Sequence, residues 1–325
     1  MASEIDVLLP FHRSDSYFDD ALQSLVSSNG VKLRIVLIDD TPQQNFTPKI
    51  SLSNNFKIEI VRTGGGCGYG QALKLGSEII ESSAVGLFNS DDLVHPDRFK
   101  RQLVALERSD LSITGMQRIS ARGHRFSSLS GEIHSKRYDP LYLLLGSYGA
   151  NATWLMHSSW WKNNSFFDDE ECLDWRIGLK TFLKTNIDWN PEKLYLYRRH
   201  ARQVTSIKKM PEEGLNSVFL EWENVAKENG LANSSRNIFD MVAVPWLKKK
   251  FTDTNEIKDW SLQLLENARG KGPDIYENTL ELVRRRYLRL ALATSGNALA
   301  RFRLIRDGKE EISPLLRDLV LSLRH

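Results

Sequence analysis

The chemistry-bearing part of this sequence is concentrated in Asn89-Ser90-Asp91-Asp92, which follows the apolar stretch Val85-Gly86-Leu87-Phe88. Adjacent carboxylates repel one another, and each is costly to desolvate. A divalent cation held between them and a phosphate removes that cost. Mg²⁺ and Mn²⁺ take oxygen ligands, usually one or two protein carboxylates with substrate phosphates and water. The structural alternative is that Asp91 caps the following helix and Asp92 is solvated. A second segment, Thr63-Gly64-Gly65-Gly66-Cys67-Gly68-Tyr69-Gly70, has the glycine density of a phosphate loop. Counted from Gly65 as a Walker loop it places Gln71 where lysine is required, and the spacing G-x-G-x-x-G fails in every frame. Its glycines suit either a turn of positive φ packed on a helix or backbone approach to a nucleotide.

The elements that must position these residues alternate. Strands are expected over Ile5–Leu9, Arg34–Ile38, Lys57–Val61 and Val85–Phe88. Helices are expected over Ser16–Ser27 with Ser16 as cap, Tyr69–Ile80 and Pro96–Glu107. Such alternation predicts an α/β fold with a mostly parallel sheet covered on both faces. Ligands of such sheets bind at the carboxyl ends of the strands, and Pro10, Asp39-Asp40 and Asn89 to Asp92 all fall there. Further on, Ala152–Met156 and Leu194–Tyr197 read as strands and Leu173–Lys184 as a helix. Lys208-Lys209-Met210-Pro211-Glu212-Glu213-Gly214 has linker chemistry. Beyond it the pattern is helical near 213–229, 234–250, 255–268, 274–294 and 312–323. The expected division is therefore 1–205, carrying the strand ends, and 206–325, an all-helical C-terminal domain.

Length and composition set the class. The chain has 325 residues, 41% hydrophobic and 26% charged, which is ordinary for a globular protein with one large or two medium domains. A net charge of +3 gives no argument for nucleic acid, and no aromatic-basic binding module is recognisable. Two cysteines, Cys67 and Cys172, cannot build a disulfide framework. No apolar run is long enough to span a bilayer and the first residues lack signal-peptide character, so a cytoplasmic location is expected.

Four segments then carry a resemblance. "IDVLLPFHRSDSYFDDALQSL", "RIVLIDDTPQ", "FNSDDLVHPDRF" and "YLYRRHARQVT", in that order, resemble the motifs of the family 2 glycosyltransferases, inverting enzymes of the GT-A fold, over roughly residues 4 to 205. The resemblance implies transfer of a sugar from a nucleotide-diphosphate donor, UDP favoured, to a hydroxyl of a glycan or lipid-linked acceptor. It implies Mn²⁺ or Mg²⁺ as cofactor and a place in bacterial surface polysaccharide synthesis. Pro10 and His12 match positions lining the base pocket, and Asp40 matches a carboxylate contacting base or ribose. Gly66 and Gly68 lie in the loop that would hold the nucleotide still. Asn89 stands where the family has the first acid of its D-x-D motif; an amide can bond a ribose hydroxyl but carries no charge. The metal then falls to Asp91 and Asp92, with His200 completing metal or diphosphate coordination. In "DDEECLDWRIGLK", Asp174, followed by Trp175, matches the catalytic base. Leu173 replaces the usual preceding glutamate, which leaves Glu171 as the alternative base. Trp154 and Trp175 are candidates for stacking on a sugar ring, Trp154 equally for the core. Asn89 and Leu173 also motivate a second reading, a degenerate relative that binds nucleotide or glycan without transfer. A nucleotidyltransferase would want a basic glycine-rich loop after the first strand, and Pro10-Phe11-His12-Arg13-Ser14 is not one.

The C-terminal helices are basic between Glu281 and Arg306, with Arg284, Arg285, Arg286, Arg289, Arg301, Arg303 and Arg306 among leucine and aromatic residues. This suits peripheral contact with anionic lipid at the inner face of a membrane or with a lipid-pyrophosphate acceptor. It equally suits a bundle face paired with the acids around Glu310 and Glu311, or a homodimer contact.

Overall fold

The computed structural model describes residues 4–43, 46–48, 55–126, 137–147, 149–165, 173–203, 212–231, 233–242 and 255–293. By its internal contacts the chain forms two units, Met1–Ser128 with Gly149–Lys208, and Leu129–Tyr148 with Lys209–His325.

The first unit is built on one mixed sheet. In chain order its elements are β1 (Glu4–Phe11), α1 (Ser16–Val26), β2 (Lys32–Asp39), β3 (Phe56–Arg62), α2 (Tyr69–Glu78), β4 (Ala84–Leu87), β5 (Leu93–Val94), α3 (Arg98–Leu106), β6 (Leu111–Ser120), β7 (Arg125–Phe126), β8 (Trp154–His157), α4 (Ser158–Asn164), α5 (Leu173–Thr181) and β9 (Ile187–Arg199). The strand order is β3-β2-β1-β4-β8-β6-β9-β5, with β7 paired to β6. β3, β2, β1 and β4 run parallel, so their carboxyl ends share one edge. β8 inserts antiparallel between β4 and β6, which makes the sheet mixed. The helical signals hold with small shifts: α1 is capped by Asp15, whose side chain accepts from Tyr17 N, rather than by Ser16. The expected helix over 173–184 divides into α5 and a 3₁₀ turn at Phe182–Lys184.

Side-chain alternation explains the core. Ile5, Val7 and Leu9 of β1 join Ile35 and Leu37 of β2 in one cluster with Phe18, Leu22 and Leu25 of α1. Leu8 and Ile38 point to the opposite face, where α2 lies so close that a Cβ on Gly76 would stand 2.3 Å from Ile38 Cδ1. On the far side, β9 pairs parallel with β6 through a bulge after Thr114, where Asn190 is followed by Pro191. Proline cannot donate to the ladder, and the bulge absorbs it. Past the bulge Leu196 pairs with Leu93 of β5, which brings the end of β9 beside the acidic turn.

The second unit is helical, with α6 (Glu212–Glu228), α7 (Arg236–Val242), α8 (Asn255–Lys271) and α9 (Pro273–Ala293). Trp222 stacks on Trp260 at 5.5 Å between ring centres, and Phe239 packs against Trp222 at 5.5 Å. The 3₁₀ segment Pro140–Leu145 belongs to this unit, which a linear division at residue 205 does not anticipate. Leu141 to Leu145 are buried, Trp222 Nε1 donates to Leu144 O at 3.0 Å, and Lys271 pairs with Asp139 at 3.1 Å. Of the basic set, Arg286 is buried and Arg285 pairs with Glu281, so neither is spread on an open face. The Arg289 side chain, Arg301, Arg303, Arg306 and the helix expected near 312–323 lie outside the described residues, as does 243–250. Among the described residues no helix is long and apolar enough to cross a membrane.

Candidate active site

Three strand ends meet at the shared edge. Asp40 N donates to Phe11 O at 2.8 Å, joining β2 to β1, and Phe88 N donates to Leu8 O at 3.0 Å, joining β4 to β1. His12, Asp40 and the turn Asn89 to Asp92 therefore stand side by side in space although dispersed in sequence.

Asp40 organises the glycine loop. Its Oδ1 accepts from Cys67 N at 2.9 Å and from Thr63 Oγ1, and its Oδ2 accepts from Gly68 N at 3.0 Å. Gly66 N donates to the Asp40 backbone carbonyl at 3.2 Å. Burial works to raise this carboxyl, but the bonds from Thr63, Cys67 and Gly68 outweigh it and hold it below the usual carboxylate range. The amides of Gly66 and Gly68 thus face Asp40, not a ligand, and Asp40 spends its acceptors within the protein. Gly65 shows why the loop is glycine-rich: its φ is +90°, and a Cβ there would lie 3.0 Å from Thr41 O. Pro10 is buried within β1 opposite Ile38, whereas His12 is exposed at the cleft.

The adjacent acids separate into two roles. Asp92 is fully buried; its Oδ1 accepts from Arg198 N at 2.7 Å, and its Oδ2 from Tyr195 Oη at 2.6 Å and Asn89 Nδ2 at 3.1 Å. Burial, reinforced by the charge of Asp91, pushes its carboxyl up to about 7. The expectation that Asp92 faces a metal, like that of a solvated Asp92, is corrected: three protein donors and the fold enclose it. Asn89 likewise turns inward to bond Asp92. Asp91 faces out. Its Oδ2 lies 2.9 Å from His200 Nε2, and it lines a cavity of about 30 Å³ with His12, Arg13, Asp15, Ser90 and Gln203. The His200 ring lies 4.6 Å from that of Tyr17 in the first turn of α1.

Asp174 opens α5, is partly exposed, and accepts from Trp175 N at 2.8 Å. Its charge reaches the site: burial raises the Tyr69 hydroxyl well above its ordinary value, and Asp174, Asp92 and Asp91 add to that rise. Glu171 lies outside the described residues. The two tryptophans are corrected as sugar platforms. Trp154 and Trp175 are both fully buried, and Trp154 Nε1 donates to Gly149 O at 2.8 Å, so both serve the core. Sequence reasoning missed Tyr195, Arg198, Gln203, Tyr17 and Tyr69; only the proximity of Tyr195 and Arg198 to His200 in sequence hinted at them.

Among the described residues no group of three or more His, Cys, Asp or Glu side chains is arranged to hold a metal ion. Asp91, which lines the cavity, and His200 beside it supply one carboxylate and one imidazole. That donor set fits a divalent cation only if diphosphate oxygens complete its shell, which is the usual manner of Mg²⁺ and Mn²⁺ at phosphate sites.

A mixed sheet whose parallel strands end in a glycine loop and an acidic turn, with a histidine returning just past β9, is the GT-A arrangement, and the comparisons agree. The sequence model described as "Glycosyl transferase family 2" matches residues 6–163, just under half of the chain, and the fold is GT-A. The matched region is a family 2 glycosyltransferase domain, of a kind acting on nucleotide-sugar donors. Solved structures of S. aureus TarS are similar. TarS 1–349 in complex with UDP-GlcNAc is 16% identical with a TM-score of 0.56, over 94% of this chain and 89% of that one. S. aureus TarS is 17% identical with a TM-score of 0.51, over 94% of this chain and 54% of that one. TarS 1–349 in complex with UDP is 16% identical with a TM-score of 0.51, over 94% and 89%. No curated protein sequence matches the chain.

Proposed function

We propose that this chain is an inverting transferase that moves a sugar from a UDP-linked donor to a hydroxyl of a glycan or lipid-linked acceptor, in the assembly of a bacterial surface polysaccharide. The observation that carries the reading is the Asp91–His200 pair, 2.9 Å apart, whose carboxylate lines the cavity beside His12 at the carboxyl edge of the sheet. The TarS structures with UDP-GlcNAc and UDP supply the preference for uridine.

Asp91 and His200 are the residues that would hold the cation. When bound with the donor, a divalent ion supplies Lewis-acid stabilisation of the charge gathering on the leaving diphosphate. Asp174 accepts the proton of the acceptor hydroxyl as its oxygen attacks the anomeric carbon from the face opposite the diphosphate, which inverts the configuration. Asp92 acts from behind, fixing the turn that presents Asp91. The Asp40-bound glycine loop keeps the nucleotide side of the cleft rigid, an entropic contribution.

The test is turnover of UDP-GlcNAc and other UDP-sugars with Mn²⁺ across an acceptor panel. Asp174→Asn abolishes transfer, a loss of at least about 10²-fold, while UDP binding stays near wild type. A thermal-shift panel of UDP, GDP and dTDP with and without Mn²⁺ shows a metal-linked stabilisation for UDP, because a ligand that prefers the native state raises its stability. UDP and metal binding without transfer or donor hydrolysis would favour the degenerate reading instead. Transfer undiminished in Asp174→Asn would reject the base.

A further inference from the structure

Arg198 stands two residues before His200 on β9 and is almost wholly enclosed, its side chain 4% exposed. It makes more connections to the acidic turn than any other described residue named above. Its backbone N–H donates to Asp92 Oδ1 at 2.7 Å and its Nε to the Asp91 backbone carbonyl at 2.9 Å. Its Nη1 donates to Ala121 O at 3.1 Å, just beyond β6, and its Nη2 to Asp20 Oδ2 at 3.0 Å on α1. The guanidinium also lies 4.8 Å from the centre of the Tyr17 ring, which packs against the His200 ring and lies under the Arg202 guanidinium. The Arg198 carbonyl accepts from Gln203 Nε2, and Gln203 Oε1 accepts from His200 N at 3.4 Å.

We propose that Arg198 is a positioning residue: its rigid fork fixes the Asp91 backbone relative to β9 and so sets the separation of Asp91 and His200, on which retention of a divalent cation with the nucleotide diphosphate depends. This rests on the assignment of Asp91 and His200 above. The chemistry follows from the planarity of guanidinium, which holds several acceptors in one fixed geometry. A lysine keeps the charge but offers a single nitrogen, which cannot reach Asp91 O, Ala121 O and Asp20 together. The bond from Arg198 N to Asp92 belongs to the backbone and survives any substitution. The turn therefore stays in place when the side chain is changed, while its register against His200 relaxes.

The experiment measures free Mn²⁺ by electron paramagnetic resonance in the presence of UDP, on the full chain and its variants. Binding of UDP without metal and thermal unfolding are followed alongside. Arg198→Met weakens Mn²⁺ retention by about 10-fold or more, the size of effect expected for groups that orient metal ligands. Metal-free UDP binding changes by less than about 2-fold, and the donor KM rises more than kcat falls, outcomes a merely structural role would not separate. Arg198→Lys falls between Met and wild type. Asp20→Ala, which removes only the exposed anchor of Nη2, weakens Mn²⁺ in the same direction by a smaller factor and guards against a misfolded Arg198→Met. Mn²⁺ retention equal to wild type in folded Arg198→Lys and Asp20→Ala would overturn the positioning role alone. A wild-type chain that binds UDP but no Mn²⁺ would overturn the metal assignment, and this role with it.

Discussion

Replacing Asp92 by alanine separates the two acids most sharply. Three donors converge on its carboxylate, from Arg198 N, Tyr195 Oη and Asn89 Nδ2 at 2.7, 2.6 and 3.1 Å. Alanine leaves them without an acceptor, at about 1–3 kcal/mol for each that stays buried. Two terms oppose this. The change relieves a carboxyl that burial and the charge of Asp91 already push up to about 7, and Asn89, only partly buried, can turn to water. The net loss is about 3–5 kcal/mol, in the range for breaking a buried charged network. Asp91→Ala removes one hydrogen-bond contact, with His200, from a carboxylate that is 26% exposed, a loss of about 1 kcal/mol. Urea unfolding followed by circular dichroism measures both. The companion readout is UDP-dependent thermal stabilisation with Mn²⁺, which disappears in Asp91→Ala. Equal stability losses in the two variants, or an Asp92→Ala protein as stable as wild type, would refute the division of roles.

Two further outcomes test the nucleotide side. Gly65→Ala places a side chain at φ +90° and 3.0 Å from Thr41 O; the left-handed backbone and the clash together destabilise by about 2–3 kcal/mol, read as a lower urea midpoint with weakened UDP binding. For Asp40 the sign is that of a depressed carboxyl: its stabilisation is full above the unfolded value and is lost as pH falls through the lower folded one. Asp40→Asn is therefore less stable than wild type at pH 7, and the gap closes below roughly pH 4, measured by urea midpoints across pH. A gap independent of pH would reject the hydrogen-bonded carboxylate as its source.

The four parallel strands were legible because their apolar runs end abruptly in polar turns, and Ile5, Val7 and Leu9 mark one face without ambiguity. β6 was not, because its interior carries Ser112 and Thr114, buried and satisfied by Asp188 and the Glu192 carbonyl across the sheet. Only the tail of β9 could be read, since Pro191 interrupts the pattern at a bulge that the fold tolerates. At the site, the adjacent acids marked the turn and only the family resemblance singled out His200, and neither could tell an outward acid from an inward one. That depends on Tyr195 and Arg198, more than a hundred positions away. Trp175 misled for the same reason, and Trp154 stayed open between sugar and core: an indole that stacks on sugar and one that fills a core are the same residue until its neighbours are known.

The membership of Pro140–Leu145 in the helical unit has a temporal consequence. Leu141 to Leu145 are sealed by helices that reach the ribosome exit much later, α9 last, with Leu290 buried near its end. At about 5–20 residues per second, the roughly 145 residues in between take some 7–30 s to emerge. For that interval a run of four leucines and a tyrosine, each worth about 1.5–3 kcal/mol once covered, waits naked on the nascent chain. A protein truncated near residue 205 never covers it, and aggregation is its expected fate.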